Sequence, residues 1–448
     1  MLEILNVSAY APEQLKQFMV KPAFDKVELG EGAKKRIAQT FGREMSAAEV
    51  VDQIVNDIRQ QGDKALFHYS QLIDGVTLTE ANFEVSAAEI ESALDQIDPA
   101  VLAALQQAER NVRAFHEEQL PKSWITYREE GSMLGQNVRP LERVGIYVPG
   151  GTASYPSSVI MNAVPASVAG VKEIIMVVPP AKDGSVNPCV LAAAKLAGVH
   201  RIFRIGGAQA IAGLAFGSEL MPKVDKITGP GNIFVTLAKK AVYGHCDIDM
   251  LAGPSEILIL ADEQANPVYA AADMLSQAEH DPLAACMVVT NSPNLAQAIQ
   301  VEVKKQLELL PRREIAAASL ANNGKILVAK DMLQAAEIAN YAAPEHLEVL
   351  AENPFSLLPY LEHAGAIFLG PYSPEPLGDY MAGPNHVLPT GGTARFYSVL
   401  NVDTFMKKTS IISYTKAGLE KVSDAVICLA EAEGLTAHAN AIRKRGMK

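Results

Sequence analysis

The chain has 448 residues, of which 49% are hydrophobic and 20% are charged, a composition typical of a folded globular protein rather than a disordered one. This length favours about two to four domains. The formal net charge of -12 argues against nucleic acid as a partner, because binding to a phosphate backbone depends on clustered Lys and Arg.

The N-terminal sequence MLEILNVSAYAPEQL carries neither the basic and apolar regions of a secretory signal nor Arg-rich transit character, so we expect a cytoplasmic protein. Residues 144–171 contain no charged side chain and would be long enough to span a membrane. Pro149, Pro156 and Pro165 interrupt this stretch. It therefore predicts a strand, a turn and a helix buried in an α/β domain, and no membrane partner.

The N-terminal quarter is predicted to be helical from about residue 33 to residue 120. Two windows that begin at Ala47 and Ala87 carry apolar residues at three- and four-residue spacing, and each follows a Ser that can cap a helix. The sequence GQNVRPLERVGIYVPGG comes next and predicts strands that end in a Pro-Gly-Gly turn.

Short apolar runs then alternate with helical windows as far as about residue 370. This alternation predicts an α/β fold in which helices cover both faces of parallel sheets. A change in character near DIDMLAGPSE indicates two such sheets, and the segment from about Ala394 is predicted to be mostly helical again. The runs are EIIMVVPP, RIFRIGG, KVDKITGPG, SEILILAD, ACMVVTN, KILVA and AGAIFLG.

Three Gly-rich turns, VPGGT, IGGAQA and TGPGN, each follow a predicted strand and precede a helix. Their backbone N–H groups could face an anion, although each turn alone is also what an ordinary strand-to-helix connection looks like, and none is a G-x-G-x-x-G. Three in one part of the chain favour a phosphate-bearing ligand. We expect it at the carboxyl ends of the strands, where open parallel sheets bind ligands.

The chain has nine histidines, and five are predicted to lie on helical surfaces or loop edges without a functional role. The other four lie in polar contexts in the second half of the chain. The first group is His68, His116, His200, His245 and His363, and the second is His280, His346, His386 and His438.

Gln277 and His280 are three residues apart on a predicted helix and so share one face of it. This spacing is compatible with a zinc or manganese site. It is also found on solvated helix faces, and Glu279 would be the more usual oxygen ligand.

Two later segments offer further pairs of a carboxylate and an imidazole. Asp379 and His386 lie in a Gly/Pro-rich loop that is long for a simple connector, and Glu433 and His438 lie near the C-terminus. Their spacing in the sequence does not show whether these places meet.

Glu345 and His346 directly follow Pro344, where the sequence predicts the start of a helix. Adjacent helical residues diverge by about 100°, so the two side chains could lie on either side of a bound substrate. A carboxylate in the first turn is also stabilised by the helix dipole alone. The same dipole disfavours a cationic His346, which leaves the neutral imidazole that a general base requires.

Long motifs in this order closely resemble those of the histidinol dehydrogenase family, from about residue 30 to residue 445. Residues 248–281 match the family signature. The other matching motifs are GIYVPGGTASYPSSVIMNAVPA, RIGGAQAIAGLAFG, VDKITGPGN, APEHLE, GDYMAGPNHVLPTGGTARF and GLTAHANA.

The resemblance implies a zinc enzyme that oxidises L-histidinol to L-histidine through L-histidinaldehyde and reduces two NAD+, at the end of histidine biosynthesis. It implies Glu345 and His346 as the catalytic pair. The implied ligands of one zinc ion per subunit are Gln277, His280, Asp379 and His438. The resemblance implies that these four residues bind the substrate together with Ser255, His346, His386 and Glu433. The implied NAD contacts are Tyr147, Gln209 and Asn232.

The resemblance also implies two Rossmann-like domains without the G-x-G-x-x-G fingerprint and a homodimer with shared active sites, in which Glu433 and His438 serve the partner subunit. The family motif usually reads Tyr-Ala-Pro-Glu-His, and Ala342 replaces that Tyr here. The expected division is a helical N-terminal extension (1–30), a first domain (31–140 with 257–393), a second, NAD-binding domain (141–256) and a helical C-terminal dimerisation segment (394–448).

Two other classes of function are compatible with parts of the pattern. A zinc hydrolase could use Glu345 or Glu279 to activate metal-bound water. A non-catalytic nucleotide-binding protein would leave the polar residues of the second half without a purpose. A related amino alcohol could also replace L-histidinol as the substrate.

Overall fold

The computed structural model describes residues 2–19, 29–150 and 154–446. They form two compact units, the first made of Met1–Gln119 with Leu141–Phe405 and the second of Leu120–Pro140 with Met406–Lys448. The first unit contains two parallel sheets, and the second contains an antiparallel one. The predicted α/β class with two parallel sheets is confirmed.

The strands and helices within these ranges are numbered in chain order. The strands are β1 (Glu3–Asn6), β2 (Trp124–Tyr127), β3 (Met133–Pro140), β4 (Arg143–Tyr147), β5 (Glu173–Val178), β6 (Arg201–Arg204), β7 (Lys226–Thr228), β8 (Asp247–Ile248), β9 (Glu256–Ala261), β10 (Ala285–Thr290), β11 (Lys325–Val328), β12 (His346–Leu350), β13 (Ala366–Leu369) and β14 (Met406–Ser413). The helices are α1 (Pro12–Met19), α2 (Glu31–Phe41), α3 (Ala47–Gln61), α4 (Asp63–Tyr69), α5 (Ala87–Gln96), α6 (Pro99–Glu117), α7 (Pro156–Ala169), α8 (Pro188–Ala197), α9 (Gly207–Phe216), α10 (Ile233–Val242), α11 (Pro267–Ala278), α12 (Pro293–Leu307), α13 (Arg313–Asn323), α14 (Met332–Ala342), α15 (Glu375–Tyr380), α16 (Lys416–Ala432) and α17 (Thr436–Arg443).

The first parallel sheet has the order β6-β5-β4-β7-β8, which is the 3-2-1-4-5 order of a doubly wound, Rossmann-like sheet. Val51 and Ile54 of α3 and Leu66 of α4 join the same buried cluster as Phe203 and Ile211 of this sheet and its helix α9. This packing differs from the predicted division, which placed 31–140 with the other sheet. An amphipathic pattern identifies the apolar face of a helix but not the sheet that covers it.

Both N-terminal helices with a predicted Ser cap begin as expected. Ser46 and Glu49 form a reciprocal capping box at the start of α3, and Ser86 and Glu89 form one at the start of α5. Each box satisfies two backbone donors that would otherwise have no partner within the helix.

The second parallel sheet has the order β1-β11-β10-β9-β12-β13, which without β1 is again 3-2-1-4-5. In its central strand β9, Ile257 and Ile259 pack in one buried cluster and Leu258 and Leu260 in another. Successive side chains of a strand point to opposite faces, so β9 is covered by helices on both sides. This double burial explains its continuous apolar run.

The N-terminal segment was predicted to be a helical extension, and the structure differs there. Besides α1 it contains β1, whose Glu3 pairs with Lys325 of β11 in parallel register at the edge of the six-stranded sheet. Residues 20–28 of the predicted extension lie outside the described residues.

The second unit consists of the sheet β14-β3-β2 with helices α16 and α17. The prediction of a mostly helical C-terminal segment is wrong for 406–413, because β14 pairs antiparallel with β3 from Met406↔Pro140 to Ser413↔Met133. Thr and Ile residues favour this strand, but its partner lies far away in the sequence.

The uncharged stretch 144–171 contains β4 except for Arg143 and the whole of α7, both in the first unit. Across the described ranges, no helix combines the length and apolar character that a membrane crossing requires.

Candidate active site

A cleft of about 580 Å³ is lined by residues from both parallel sheets. From the five-stranded sheet come residues that follow β4 and β7, including Pro149 and Gly229, at the carboxyl ends of the strands as predicted. From the six-stranded sheet come Ser255, Glu345 and His346, which precede or begin β9 and β12. The expectation of carboxyl ends is therefore wrong for this sheet, whose amino ends line the cleft.

Glu345 and His346 lie at the entrance to a strand, so the predicted helix start is wrong. Helix α14 ends at Ala342, and Ala343 turns the chain with a left-handed φ of 44° before Pro344. His346 then pairs with β9 on one side and β13 on the other. A proline disfavours helical geometry in the residue before it, and pairing on both sides fixes the extended chain that follows.

One residue of β9 holds both side chains. The backbone N–H of Glu256 donates to Oε2 of Glu345 at 2.9 Å, and the backbone oxygen of Glu256 lies 3.0 Å from Nδ1 of His346. Glu345 Oε2 and His346 Nδ1 are 3.7 Å apart. The carboxylate and the imidazole are thus fixed beside each other by adjacent backbone groups.

This contact sets the tautomer of His346. A carbonyl oxygen can only accept, so Nδ1 carries the proton and Nε2 keeps its lone pair. Nε2 is buried and has no hydrogen-bond partner among the described residues. Burial lowers the pKa of His346 to about 4; Asp379 opposes this shift, and His386 and His280 add to it. Burial, rather than the predicted helix dipole, therefore keeps this imidazole neutral and able to accept a proton.

The predicted metal residues of the first unit converge on the same cleft. Gln277 is buried in the last turn of α11, while His280 lies just beyond the end of that helix rather than on it. Asp379 comes from α15. One carboxylate oxygen of Asp379, one of Glu375 and one ring nitrogen of His280 all lie within 4.8 Å of one another. Oxygen Oε1 of Gln277 is buried without a hydrogen-bond partner in the part of the chain that the structure describes.

Glu375 was missed by the sequence reasoning. It lies one turn before Asp379 on the same face of α15 and is buried. Burial and the charge of Asp379 raise the pKa of Glu375. Burial would also raise the pKa of Asp379, but the hydrogen bond and charge of His386 hold it below its usual range. The four-residue spacing of two acids in PEPLGDY was the available signal.

The predicted substrate residues Ser255 and His386 also line the cleft. Nδ1 of His386 lies 3.4 Å from Oδ1 of Asp379, and both side chains are largely buried. Ser255 directly precedes β9, next to the Glu256 backbone that holds Glu345 and His346.

The predicted NAD residues lie around the turns of the five-stranded sheet. Tyr147 ends β4, and its hydroxyl accepts the N–H of Gly207 at 3.2 Å. Gln209 is buried near this point and donates from Nε2 to Asp74 at 3.1 Å. Asn232 caps α10 by accepting two backbone N–H groups. Tyr147 and Asn232 are among the described residues lining the cleft, and Gln209 is not.

The turn after β7 is held by a buried ion pair of Lys239 and Asp249. Lys239 donates to the oxygen of Gly229 at 3.1 Å, and the N–H of Gly229 donates to Asp249 at 2.8 Å. Gly229 has a φ of +116°, and a Cβ at this position would lie 2.2 Å from the oxygen of Tyr147. Only glycine fits where this turn meets β4.

We expect Gly229→Ala to lower the free energy of unfolding. Backbone strain at this φ costs about 1–3 kcal/mol, and the loss should exceed this range because the Tyr147 backbone must also move. Urea denaturation of the purified variant measures the loss. Gly244→Ala is the matched control, since Gly244 has a φ of +97° with nothing within 4 Å of the added Cβ. Equal losses in the two variants would contradict this steric account.

Glu433 and His438 belong to the second unit, where Glu433 directly follows α16, His438 lies on α17, and both are exposed. In the first unit, Ala342 is buried at the end of α14, and the hydroxyl of the neighbouring Tyr341 donates to Glu337.

Comparison with known proteins identifies relatives over almost the whole chain. A family model described as histidinol dehydrogenase matches residues 38–446. A histidinol dehydrogenase from Heliobacterium mobile is 62% identical over 395 residues, 88% of this chain and 92% of that protein. One from Syntrophotalea carbinolica is 53% identical over 423 residues, 94% of this chain and 98% of that protein.

The crystal structure of histidinol dehydrogenase from Elizabethkingia anophelis has a TM-score of 0.90 and 36% sequence identity to this chain, covering 99% of this chain and 98% of that one. The sequence comparisons and the structural comparison therefore agree, since both identify histidinol dehydrogenases. The resemblance found in the sequence is confirmed, and the chain belongs to the histidinol dehydrogenase family.

Proposed function

We propose that this protein oxidises L-histidinol to L-histidine through L-histidinaldehyde and reduces two NAD+, in the last steps of histidine biosynthesis. The observation that carries the proposal is the pair of Glu345 and His346, held by the backbone of Glu256 in a cleft that both sheets line. Two successive oxidations at one carbon need two proton-handling groups beside one substrate.

Zinc fits the group of Gln277, His280 and Asp379. The buried oxygen of Gln277, which lacks a partner among the described residues, and the closeness of His280 to Asp379 support this site. Nitrogen and oxygen donors of these types bind zinc, and we propose His438 of the partner subunit as the fourth ligand of one ion per subunit. When bound, zinc would hold the imidazole and amino nitrogens of the substrate and orient the reacting carbon.

We propose that NAD lies at the carboxyl ends of the five-stranded sheet, with Tyr147, Gln209 and Asn232 as contacts. The turn 229–231 and the start of α10 line the cleft there, and a helix N-terminus favours a phosphate group. NAD supplies the hydride acceptor, which the side chains of the chain cannot provide.

His346 would take the hydroxyl proton of the alcohol on Nε2 as the hydride leaves the carbon. Glu345 would then take a proton from the water that adds to the aldehyde carbon, while His346 returns its proton to the aldehyde oxygen and becomes neutral again. In the second oxidation His346 would take a hydroxyl proton of the hydrate as the second hydride leaves the carbon for the second NAD+. Ser255 and His386, with Glu433 of the partner subunit, would hold the substrate during both steps.

A homodimer with shared sites is the proposed assembly. The second unit, which carries Glu433 and His438, exposes large apolar side chains that a partner subunit could cover. These residues are Trp124, Ile125, Tyr127, Ile412 and Leu429.

Mixing inactive His438→Ala and His346→Ala subunits is expected to restore about a quarter of the wild-type activity, because half of the dimers would carry one complete site of two. The subunits are mixed under mild denaturation and refolded, and NADH formation is measured. Each variant refolded alone is the control. If mixed dimers form and stay inactive, the shared site is wrong.

A direct assay tests the proposed function. Purified protein with L-histidinol and NAD+ should show growth of the reduced-nicotinamide absorbance, with two NADH formed per substrate. Absence of NADH together with hydrolysis of an ester or amide would favour the zinc hydrolase, and absence of stoichiometric zinc would favour a nucleotide-binding protein. A panel of amino alcohols with NAD+ identifies a related substrate if L-histidinol is not oxidised. A cytoplasmic location stays a prediction.

A further inference from the structure

The segment that carries His386 into the cleft, residues 381–390, is attached to helices of the other sheet. Asn111 of α6 donates to the oxygen of Met381 at 2.7 Å. Asn385, next to His386, donates to the oxygen of Met161 in α7 at 2.6 Å. We call residues 381–390 the His386 loop.

The acceptor in α7 is available because of a proline. In a regular helix the oxygen of Met161 would accept the N–H of residue 165, four residues later. Residue 165 is a proline inside α7 and has no N–H, so this intrahelical hydrogen bond is not formed. Met161 and Asn385 are both buried, and the Asn385 amide takes the place of the missing donor.

Two further contacts fix the orientation of the Asn385 side chain. Its Oδ1 accepts the N–H of Val387 at 2.9 Å, within the loop itself. Its Nδ2 lies 3.4 Å from Nε2 of His116 on α6. Asn385 therefore has a donor contact to each of two helices and an acceptor contact to its own loop, which leaves little freedom for its amide.

His116 is fully buried, so the predicted surface position of this histidine is wrong. Nδ1 of His116 lies 2.7 Å from the oxygen of Val112, so Nδ1 donates and Nε2 is left to accept from Asn385. Burial lowers the pKa of His116, with the Val112 and Leu400 carbonyls opposing the shift, which agrees with a neutral ring. The ring thus gives the Asn385 amide a second acceptor, on α6.

We propose that the Met161 oxygen, which Pro165 leaves without an intrahelical donor, is the attachment point of the His386 loop on α7. We also propose that Asn385 is a positioning residue that sets the place of His386 relative to Asp379. The helix α7 follows β4 of the sheet proposed to bind NAD, while His386 faces the residues proposed to bind zinc and substrate. The contact therefore fixes the substrate side of the cleft relative to the cofactor side. This role rests on the proposed function.

The test is a double-mutant cycle of Asn385→Ala and Pro165→Ala, followed by melting temperature and by steady-state kinetics. Asn385→Ala alone should lower Tm, because the Met161 oxygen is left buried without a donor. It should also lower kcat/KM by about 10–100-fold, the usual effect of a displaced substrate contact.

Adding Pro165→Ala supplies an N–H at position 165 for the Met161 oxygen. In the Asn385→Ala background this change should recover much of the lost Tm, and it should raise Tm less in the wild-type background, where the oxygen already has a donor. The kcat/KM of the double variant should stay low, because the Met161 oxygen again has a donor but Asn385 no longer attaches the His386 loop to α7. A merely structural role of Asn385 would instead let kcat/KM recover together with Tm.

Asn82→Ala is the matched control, since the Asn82 amide also donates to a backbone oxygen and accepts a backbone N–H, in an exposed turn. Its kcat/KM should stay at the wild-type value. The proposal is overturned if Pro165→Ala changes Tm equally in both backgrounds, if kcat/KM recovers in the double variant, or if Asn385→Ala retains wild-type kcat/KM. Should Asn385→Ala fail to fold, the double variant with its repaired helix decides the kinetic question.

The kinetic comparison uses whichever amino alcohol the wild-type protein oxidises with NAD+. Inactivity of the wild-type protein toward the whole panel would reject the proposed function, whereas the Tm cycle needs no substrate and still decides whether Asn385 and Pro165 share the Met161 oxygen.

Discussion

Replacing His346 by asparagine is expected to lower kcat by about 10²–10⁴-fold, the usual range for the loss of a general base. The Asn amide can still donate to the backbone oxygen of Glu256, as Nδ1 of His346 does, but nothing replaces the lone pair on the buried Nε2. The change therefore removes the proposed base while keeping the contact that holds the side chain.

The measurement is steady-state NADH formation together with metal analysis of the same preparation. His363→Asn is the control, because His363 lies beside Glu362 and is partly exposed. Zinc content should be the same in wild-type protein and in both variants. Near-normal turnover of His346→Asn with full zinc would falsify the assignment of the base.

Glu345→Gln is expected to stop the reaction at the aldehyde, with the second oxidation slowed by about 10²–10⁴-fold. The amide oxygen can still accept the N–H of Glu256, so the side chain keeps its place and loses only its ability to take a proton from water. The first hydride transfer needs His346 and should remain close to the wild-type rate.

Stopped-flow absorbance separates the two oxidations, since Glu345→Gln should form one NADH per site rapidly and the second slowly. Added L-histidinaldehyde should be oxidised as slowly as the second phase. Glu362→Gln serves as the control on an exposed carboxylate next to His363. Two rapid NADH equivalents at the wild-type rate would rule out this role for Glu345.

The sequence predicted the parts of the fold that local patterns determine. The apolar run 256–261 became a strand buried on both faces, and Ser46 and Ser86 cap the two helices that were expected to follow them. Family motifs identified residues of the cleft that spacing alone could not connect, since Gln277 and Asp379 lie about a hundred positions apart. These features depend on nearby residues or on long, ordered motifs.

The error at Glu345 and His346 arose because a short run such as HLEVL is compatible with either a helix or a strand. Pairing with β9 and β13 decides between them, and the pairing with β9 joins His346 to Ile257, far earlier in the sequence. The same limit applies to β14, whose partner β3 lies more than 260 positions earlier. Tertiary pairing overrides local pattern at these places.

Other parts of the site depend on contacts that no spacing predicts. The contacts of the Glu256 backbone with Glu345 and His346 leave no side-chain signal in the sequence. Pro165 looked like one of several breaks in an apolar stretch, yet the oxygen it leaves available in α7 receives the Asn385 amide. The contacts of such groups form only in the folded protein, where two segments that are distant in the sequence meet.

The shared attachment of Glu345 and His346 to Glu256 has a consequence for how this protein could change its substrate. A shift of Glu256, the first residue of β9, would displace the side chains of Glu345 and His346 together. The distance between the two side chains would then stay the same while both moved relative to the substrate. New specificity is therefore expected to arise by exchange of the side chains facing the ligand, such as Ser255, while strand alignment stays constant across variants that remain active.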